Sequence, residues 1–108
     1  MANTFKSYPS KDVGTSAATV YTCPSATQTT LIGLSMANTT ASPITCSAYI
    51  TRSGTDYYLI KGATVPTGGT LVIVGGDQKV VLEAADVLKM VNSAASSGDA
   101  MASLLEIT

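Results

Sequence analysis

The clearest strand signal lies in residues 44–51, ITCSAYIT, where two kinds of side chain alternate without a break. Small or aliphatic side chains occupy the even positions, Ile44, Cys46, Ala48 and Ile50. The odd positions hold Thr45, Ser47, Tyr49 and Thr51. A period of two is typical of a strand with one buried face. The segment therefore predicts a β-strand whose even positions cover a core.

Seven further short runs carry strand patterns, separated by turns rich in Gly, Pro, Ser and Asn. They are residues 19–23, 30–38, 57–61, 70–74, 79–83, 87–91 and 100–107. A helix over 79–94 is the main alternative, but its many β-branched residues argue against it. The series predicts an all-β fold, a single eight-stranded antiparallel sandwich that is jelly-roll-like.

Three runs allow finer predictions. In residues 30–38, Ile32, Leu34 and Met36 are expected on one face. The uninterrupted apolar run at 70–74 suggests a buried strand near the middle of a sheet. In residues 100–107 the even positions, which end in Glu106, face opposite to the odd ones.

The first sixteen residues, MANTFKSYPSKDVGTS, differ from the rest. They are polar, include Pro9 and Gly14, and show no sustained period. We expect an extended N-terminal arm over 1–16 and a β-sandwich domain over 17–108. The arm is either a frayed terminus or a segment that becomes ordered on a partner, with Phe5, Tyr8 and Val13 as anchors.

Composition argues against most chemistry. The chain has no histidine, six basic and seven acidic residues, and a net charge of −1. Enzymes at neutral pH most often use histidine for proton transfer, so we expect no enzyme. No basic stripe is present for a nucleic acid. No apolar run is long enough for a secretion signal or a membrane span, which predicts cytoplasmic synthesis.

Metal and cofactor sites are also not expected. Two cysteines without histidine cannot complete a zinc site, and the spacing of Asp56, Asp77, Asp86 and Asp99 fits turn residues better than a calcium loop. Cys46 is expected to be a small buried hydrophobe. Cys23 is less certain, and a disulfide needs the two Cα atoms within about 7 Å.

Aromatic residues and the single arginine are the candidates for binding a partner. Tyr49 faces away from Ile50, and Tyr57 and Tyr58 are adjacent, so that one of them points outward. Exposed tyrosine is enriched at protein interfaces. The alternative is a tyrosine half-covered by its own loop. The partner-binding candidates are Phe5, Tyr8, Tyr49, Arg52, Tyr57 and Tyr58.

Four segments carry a resemblance to a protein family. They are TTLIGLSMANTT at 29–40, DYYLIK at 56–61, VPTGG at 65–69 and GGDQKVVL at 75–82. This ordered series of turns resembles a group of small virion structural proteins of tailed bacteriophages, over about 17–108. Members of such groups are β-sandwiches that sit on the particle as head decoration (cement) proteins or as neck and tail components.

The resemblance implies a non-enzymatic capsid decoration protein, made in the host cytoplasm and located on the virion. Its expected partners are the major capsid protein or another virion protein, and further copies of itself, with a homotrimer favoured. One alternative is a neck, tail or fibre component that contacts a virion protein or the host surface. Another is a carbohydrate-binding module, although such sites usually need aromatic platforms and the chain has no tryptophan.

Overall fold

The computed structural model describes residues 2–75 and 79–108 and contains nine strands in those ranges. They are β1 (Asn3–Val13), β2 (Ala18–Thr22), β3 (Gln28–Asn38), β4 (Ile44–Arg52), β5 (Thr55–Val65), β6 (Thr70–Val74), β7 (Val80–Leu82), β8 (Val87–Asn92) and β9 (Gly98–Ile107). Among these residues no helix is long and apolar enough to span a membrane.

The strands form two antiparallel sheets packed as a sandwich. Sheet A has the order β1-β9-β3-β6, with β7 also paired to β3, and sheet B has the order β2-β8-β4-β5. The first strand pairs with the last, the second with the next to last, and so on inward to the β4–β5 hairpin. This nested pairing is the jelly-roll arrangement, so the predicted all-β jelly-roll-like sandwich is confirmed.

The ninth strand is β1, which the sequence placed outside the sandwich. Residues 3–13 pair with β9 from Asn3 opposite Ile107 to Val13 opposite Gly98, as an edge strand of sheet A. The prediction of a separate arm over 1–16 is therefore wrong for this segment. Its pattern is unusual because Lys6 points inward and Phe5 points outward. Pro9 is tolerated there because an edge strand has one unpaired side.

The core lies between the two sheets and matches the predicted faces in β4 and β9. Ile44, Cys46, Ala48 and Ile50 are buried, as expected. In β9 the inward residues are Ala100, Ala102, Leu104 and Glu106. Residues 80–82 and 87–92 are strands, so the alternative helix over 79–94 is excluded.

Two finer predictions are wrong, one about the face of a strand and one about the position of a strand in its sheet. A register shift between Leu31 and Gly33 brings Leu31 into the core and moves Ile32 to the partly exposed side. The strand at 70–74 lies at the edge of its sheet, not in its middle, and Val72 is exposed. Its apolar run reflects a second apolar surface on the outside of sheet A.

The β4–β5 connection is a two-residue hairpin turn. Ser53 and Gly54 both have positive φ, 53° and 79°, as the favoured two-residue hairpin turn requires. Asp77, one of the acidic residues predicted to lie in turns, is outside the described residues.

Candidate interaction surfaces

The solvent side of sheet A, here called the outer face, is the most unusual surface of the molecule. Because Ala100, Ala102 and Leu104 point into the core, Met101, Ser103 and Leu105 point outward. Cross-strand pairing extends each of these positions into a row. One row runs Phe5, Leu105, Thr30, Val81, and another runs Pro9, Met101, Ser35, Val72.

The large side chains of these rows are strongly exposed. The exposed fractions are 75% for Phe5, 64% for Val72, 60% for Val81 and 45% for Met101. Small residues separate the two rows, since Ser103 lies opposite Ser7 and Gly33. The result is an open depression whose lining includes Phe5, Ile32 and Ser103. Large exposed apolar patches on a monomer mark interaction sites.

The outer face carries almost no charge. Lys11 and Asp99 form an ion pair at one end, with 3.1 Å between Nζ and Oδ2. The Asp12 backbone N–H and the Lys11 ammonium both bond to Asp99 and lower the pKa of its carboxyl group. Apart from Lys11, Asp12 and Asp99 at that end, the outward positions of the described strands of sheet A hold no ionisable side chain. The face is therefore apolar and small-polar over nearly its whole length.

Sheet B presents the tyrosines instead. Tyr49 on β4 lies opposite Tyr58 on β5, with ring centroids 4.9 Å apart, and Lys61 Nζ lies 4.9 Å from the centroid of Tyr58. Tyr49 is buried under these neighbours, and burial raises the pKa of its hydroxyl. Tyr58 is exposed, as strongly as Met101 on the outer face. Tyr57 is more exposed and lines an open pocket with Ile50 and Arg52.

Arg52 is held by the protein's own carboxylates. Its Nε donates to Asp86 Oδ1 at 2.8 Å and its Nη2 donates to Asp86 Oδ2 at 2.5 Å, a bidentate pair. The Glu83 backbone N–H also donates to Oδ2, at 2.8 Å. Asp86 is buried, and the bond from Arg52 is the largest cause that lowers the pKa of its carboxyl group. Arg52 thus joins the end of β4 to the turn before β8.

A buried polar network bridges the two sheets. Tyr21 on β2 donates to Glu106 Oε2 on β9 at 2.5 Å, and its oxygen accepts from Thr29 Oγ1 at 2.8 Å. Lys6 Nζ on β1 lies 3.0 Å from Glu106 Oε1. The bond from Tyr21, with that from Lys6, lowers the pKa of Glu106, while burial and Glu106 raise the pKa of Tyr21. The ring of Tyr8 packs on that of Tyr21, with the two ring centroids 5.0 Å apart.

This network explains why a lysine and a glutamate occupy inward strand positions. An isolated buried charge is costly, so Glu106 must be paired. The sequence held one signal for it, a carboxylate on the otherwise apolar face of residues 100–106. The partners Lys6 and Tyr21 were missed because they lie on strands remote in sequence.

Both cysteines are buried free thiols. Cys46 lies in the core as predicted, and burial raises the pKa of its thiol to about 11. The Sγ atom of Cys23 lies 3.4 Å from Thr29 Oγ1 and 3.4 Å from the Thr27 carbonyl oxygen. Cys23, which the sequence left uncertain, is therefore a core residue. Among the described residues, no three of Cys, Asp and Glu gather in a group that could hold a metal ion.

The predicted partner-binding residues thus do not form one site. Phe5 lies on the outer face of sheet A, and Tyr8 points inward to the polar network. Tyr49 and Tyr58 pack together on sheet B, with Tyr57 exposed near the same edge. Arg52 is tied to Asp86. The residues that complete the outer face around Phe5 were not predicted: Ile32, Val72, Val81, Met101 and Leu105.

Comparison with known proteins gives the fold and little more. No protein-family model matches the sequence, and no curated protein matches it. Among solved structures, a chain from Bacillus endospore appendages, a family of disulfide-linked pili, is similar with a TM-score of 0.58. The match covers 99% of this chain and 87% of the other, at 15% sequence identity. The likeness shows that the two chains share the β-sandwich fold.

Proposed function

We propose that this protein is a non-enzymatic structural protein of a tailed-phage virion, a decoration (cement) protein that binds the assembled head. The observation that carries the proposal is the outer face of sheet A, with Phe5, Val72, Val81 and Met101 exposed on a nearly uncharged sheet. The resemblance of about residues 17–108 to small virion proteins supplies the setting. A rigid sandwich with a large apolar face fits a protein that works by covering a surface.

Decoration stabilises a shell by binding the assembled state and not the free subunits. Many copies on one lattice also raise the effective concentration of each contact, so single interfaces need only modest affinity. The ion pairs of this chain suit such a role. Arg52 with Asp86 and Lys6 with Glu106 are used to hold loops and sheets together, which leaves the surface for contacts.

The decisive experiment is the copy number per purified virion, measured by quantitative mass spectrometry against the major capsid protein. Hundreds of copies support a shell-wide decoration role. A few copies would move the protein to the neck or tail, and absence from the particle would refute a virion role altogether.

A point variant links the particle to the outer face. Val72→Lys places a charge on exposed β6 and should lower occupancy on the particle. Thr64→Lys is the matched control, because Thr64 is also an exposed β-branched residue on an edge strand, but in sheet B. Equal occupancy of the two variants would exclude the outer face as the assembly surface.

A tail, fibre or other filament component is the second candidate. The fold likeness to a pilus chain, over nearly the full length of this protein, favours it. Negative-stain microscopy of the purified protein distinguishes the two, because a filament subunit should form regular fibres without a capsid.

Carbohydrate binding has less support. The exposed ring of Tyr58 is already in contact with Tyr49 and with the Lys61 ammonium. That leaves Tyr57 as the most exposed ring on this side of the molecule. Binding to a glycan array that is lost in Tyr57→Ala would restore this alternative.

A further inference from the structure

We propose that the outer face of sheet A binds the same face of a second copy of this chain, giving a two-fold dimer by sheet stacking. This inference rests on the proposed function, because it takes the outer face as the assembly surface. It names a second copy of the chain as the occupant of that face, so that the protein would be present on the particle as a dimer.

The size of the face is the first argument. Four neighbouring strands at about 4.8 Å spacing and about ten residues in length give a surface of roughly 19 Å by 34 Å, or about 650 Å². Stable interfaces bury about 800 Å² per partner, with a spread of about 200 Å². A second copy of the same face is therefore large enough to form a specific contact and small enough to be covered completely.

The charge of the face is the second argument. A charged surface repels its own copy, and a partner for it must carry the opposite sign. Between the Lys11–Asp99 pair and the far end of the strands, the described outward positions are neutral. Over this neutral stretch two copies can thus meet without burying an unpaired charge, and nothing in it selects a partner of either sign.

The arrangement of the rows is the third argument. Two copies have the same twist, so their sheets can stack face to face about 10 Å apart. A two-fold axis parallel to the strands keeps each row opposite itself and reverses its direction. Phe5 of one copy then meets Val81 of the other, and Pro9 meets Val72. Each exposed edge residue of a row gains an apolar neighbour.

Pairing through strand edges is less favourable. β1 carries Pro9 and a register shift between Ser10 and Val13, and β5 carries Lys61 and a Gly62 with positive φ. The other edge strands, β2, β6 and β7, are only five, five and three residues long. These are the devices by which natural sheets avoid edge-to-edge pairing. The two central strands of the outer face, β9 and β3, contain no proline and no lysine.

The proposal changes the expected oligomer. Face-to-face stacking is isologous and gives a dimer, whereas a three-fold ring needs a contact between two different surfaces. The trimer expected from the sequence stays a prediction that the same measurement tests.

Sedimentation equilibrium of the full chain over a wide range of concentrations tests the proposal. The wild-type protein should be a dimer, and Val72→Lys should weaken dimerisation by about 100-fold or more, because it buries an unpaired charge. Thr64→Lys should leave the dimer unchanged. Circular dichroism checks folding, and Phe5→Lys provides a second variant at the opposite edge of the face.

The outcomes separate this inference from the proposed function. A trimer, a monomer at the highest concentration, or a dimer that resists both Val72→Lys and Phe5→Lys would overturn the dimer. If the protein is monomeric but Val72→Lys still loses its place on the particle, the face binds another virion protein and the proposed function stands. If the dimer forms but virions lack the protein, the proposed function fails and the dimer stands.

Discussion

Replacing Asp86 with asparagine should destabilise the fold by an amount that the structure allows us to work out. The carboxylate accepts three hydrogen bonds, two from the Arg52 guanidinium and one from the Glu83 backbone N–H. Asparagine keeps one oxygen and turns the other into an N–H₂ group that faces donors. At least one charge-assisted bond is lost and one donor–donor contact is created.

Hydrogen bonds to charged groups contribute about 1.5–3 kcal/mol each. The loss is reduced because a neutral amide is less costly to bury than a carboxylate, and because the half-exposed Arg52 regains water. We expect Asp86→Asn to lower the free energy of unfolding by about 2 kcal/mol at pH 7. For a domain of this size that corresponds to a fall in Tm of roughly 8–16 °C.

The effect should depend on pH in one direction. Because Arg52 lowers the pKa of Asp86 in the folded protein, its stabilisation is fully present above the pKa of the unfolded chain, about 3.9. It is lost as the pH falls through the lower folded value. The difference between wild type and Asp86→Asn should therefore be constant from pH 5 to pH 8 and shrink below about pH 4.

Urea unfolding monitored by circular dichroism measures this difference at each pH. Asp99→Asn is the matched control, because Asp99 pairs with Lys11 at the surface and exposed pairs contribute little to stability. A difference below about 0.5 kcal/mol at pH 7, or one that grows in acid, would refute the reasoning. The same result would make Arg52 a candidate for binding a partner again.

Three further experiments test other parts of the structure. Deletion of residues 2–13 should leave an unfolded or aggregated protein by circular dichroism and gel filtration, since β9 loses β1 and Glu106 loses Lys6; a folded, soluble truncation would contradict this. Gly98→Ala should destabilise by about 1–3 kcal/mol in urea, because its Cβ would lie 2.5 Å from Met36 Sδ, and an unchanged midpoint would show that the core adapts. Neither Cys46 nor Cys23 should react with a disulfide reagent at pH 8 until the protein unfolds, since Cys46 has a pKa of about 11 and both are buried; full labelling of the native protein would contradict their burial.

Alternation along the chain was enough to predict the fold class and most strands. It succeeded where inward positions are apolar, as in β4 and in β9 up to Leu104. It failed for β1, because the inward positions there are Lys6 and Tyr8, which contact Glu106 and Tyr21. A strand whose buried side chains are polar cannot be found by an apolar period, since the partners that make burial acceptable lie on other strands.

The outer face could not be predicted from the sequence for a related reason. Phe5, Thr30, Val81 and Leu105 come from four strands and become neighbours only through the register of sheet A. The sequence indicated single residues as candidates for binding a partner. In the structure several of them contact other side chains of the same fold. One signal was present, the unbroken apolar run at 70–74, but it has the same appearance as a strand buried on both faces.

Sheet A therefore has an ion pair on its inward side and a set of exposed apolar side chains on its outer face. Lys6 and Glu106 are buried or half-buried within it, whereas Phe5, Val72, Val81 and Met101 face solvent. For the isolated fold this distribution brings no gain, because burying a charge needs compensation and each exposed apolar side chain forgoes about 25 cal/mol for every Å² left in water. Threonine or lysine at the four exposed positions would suit a free monomer better. The arrangement favours the assembled state, because covering the outer face recovers that free energy only when a partner is present.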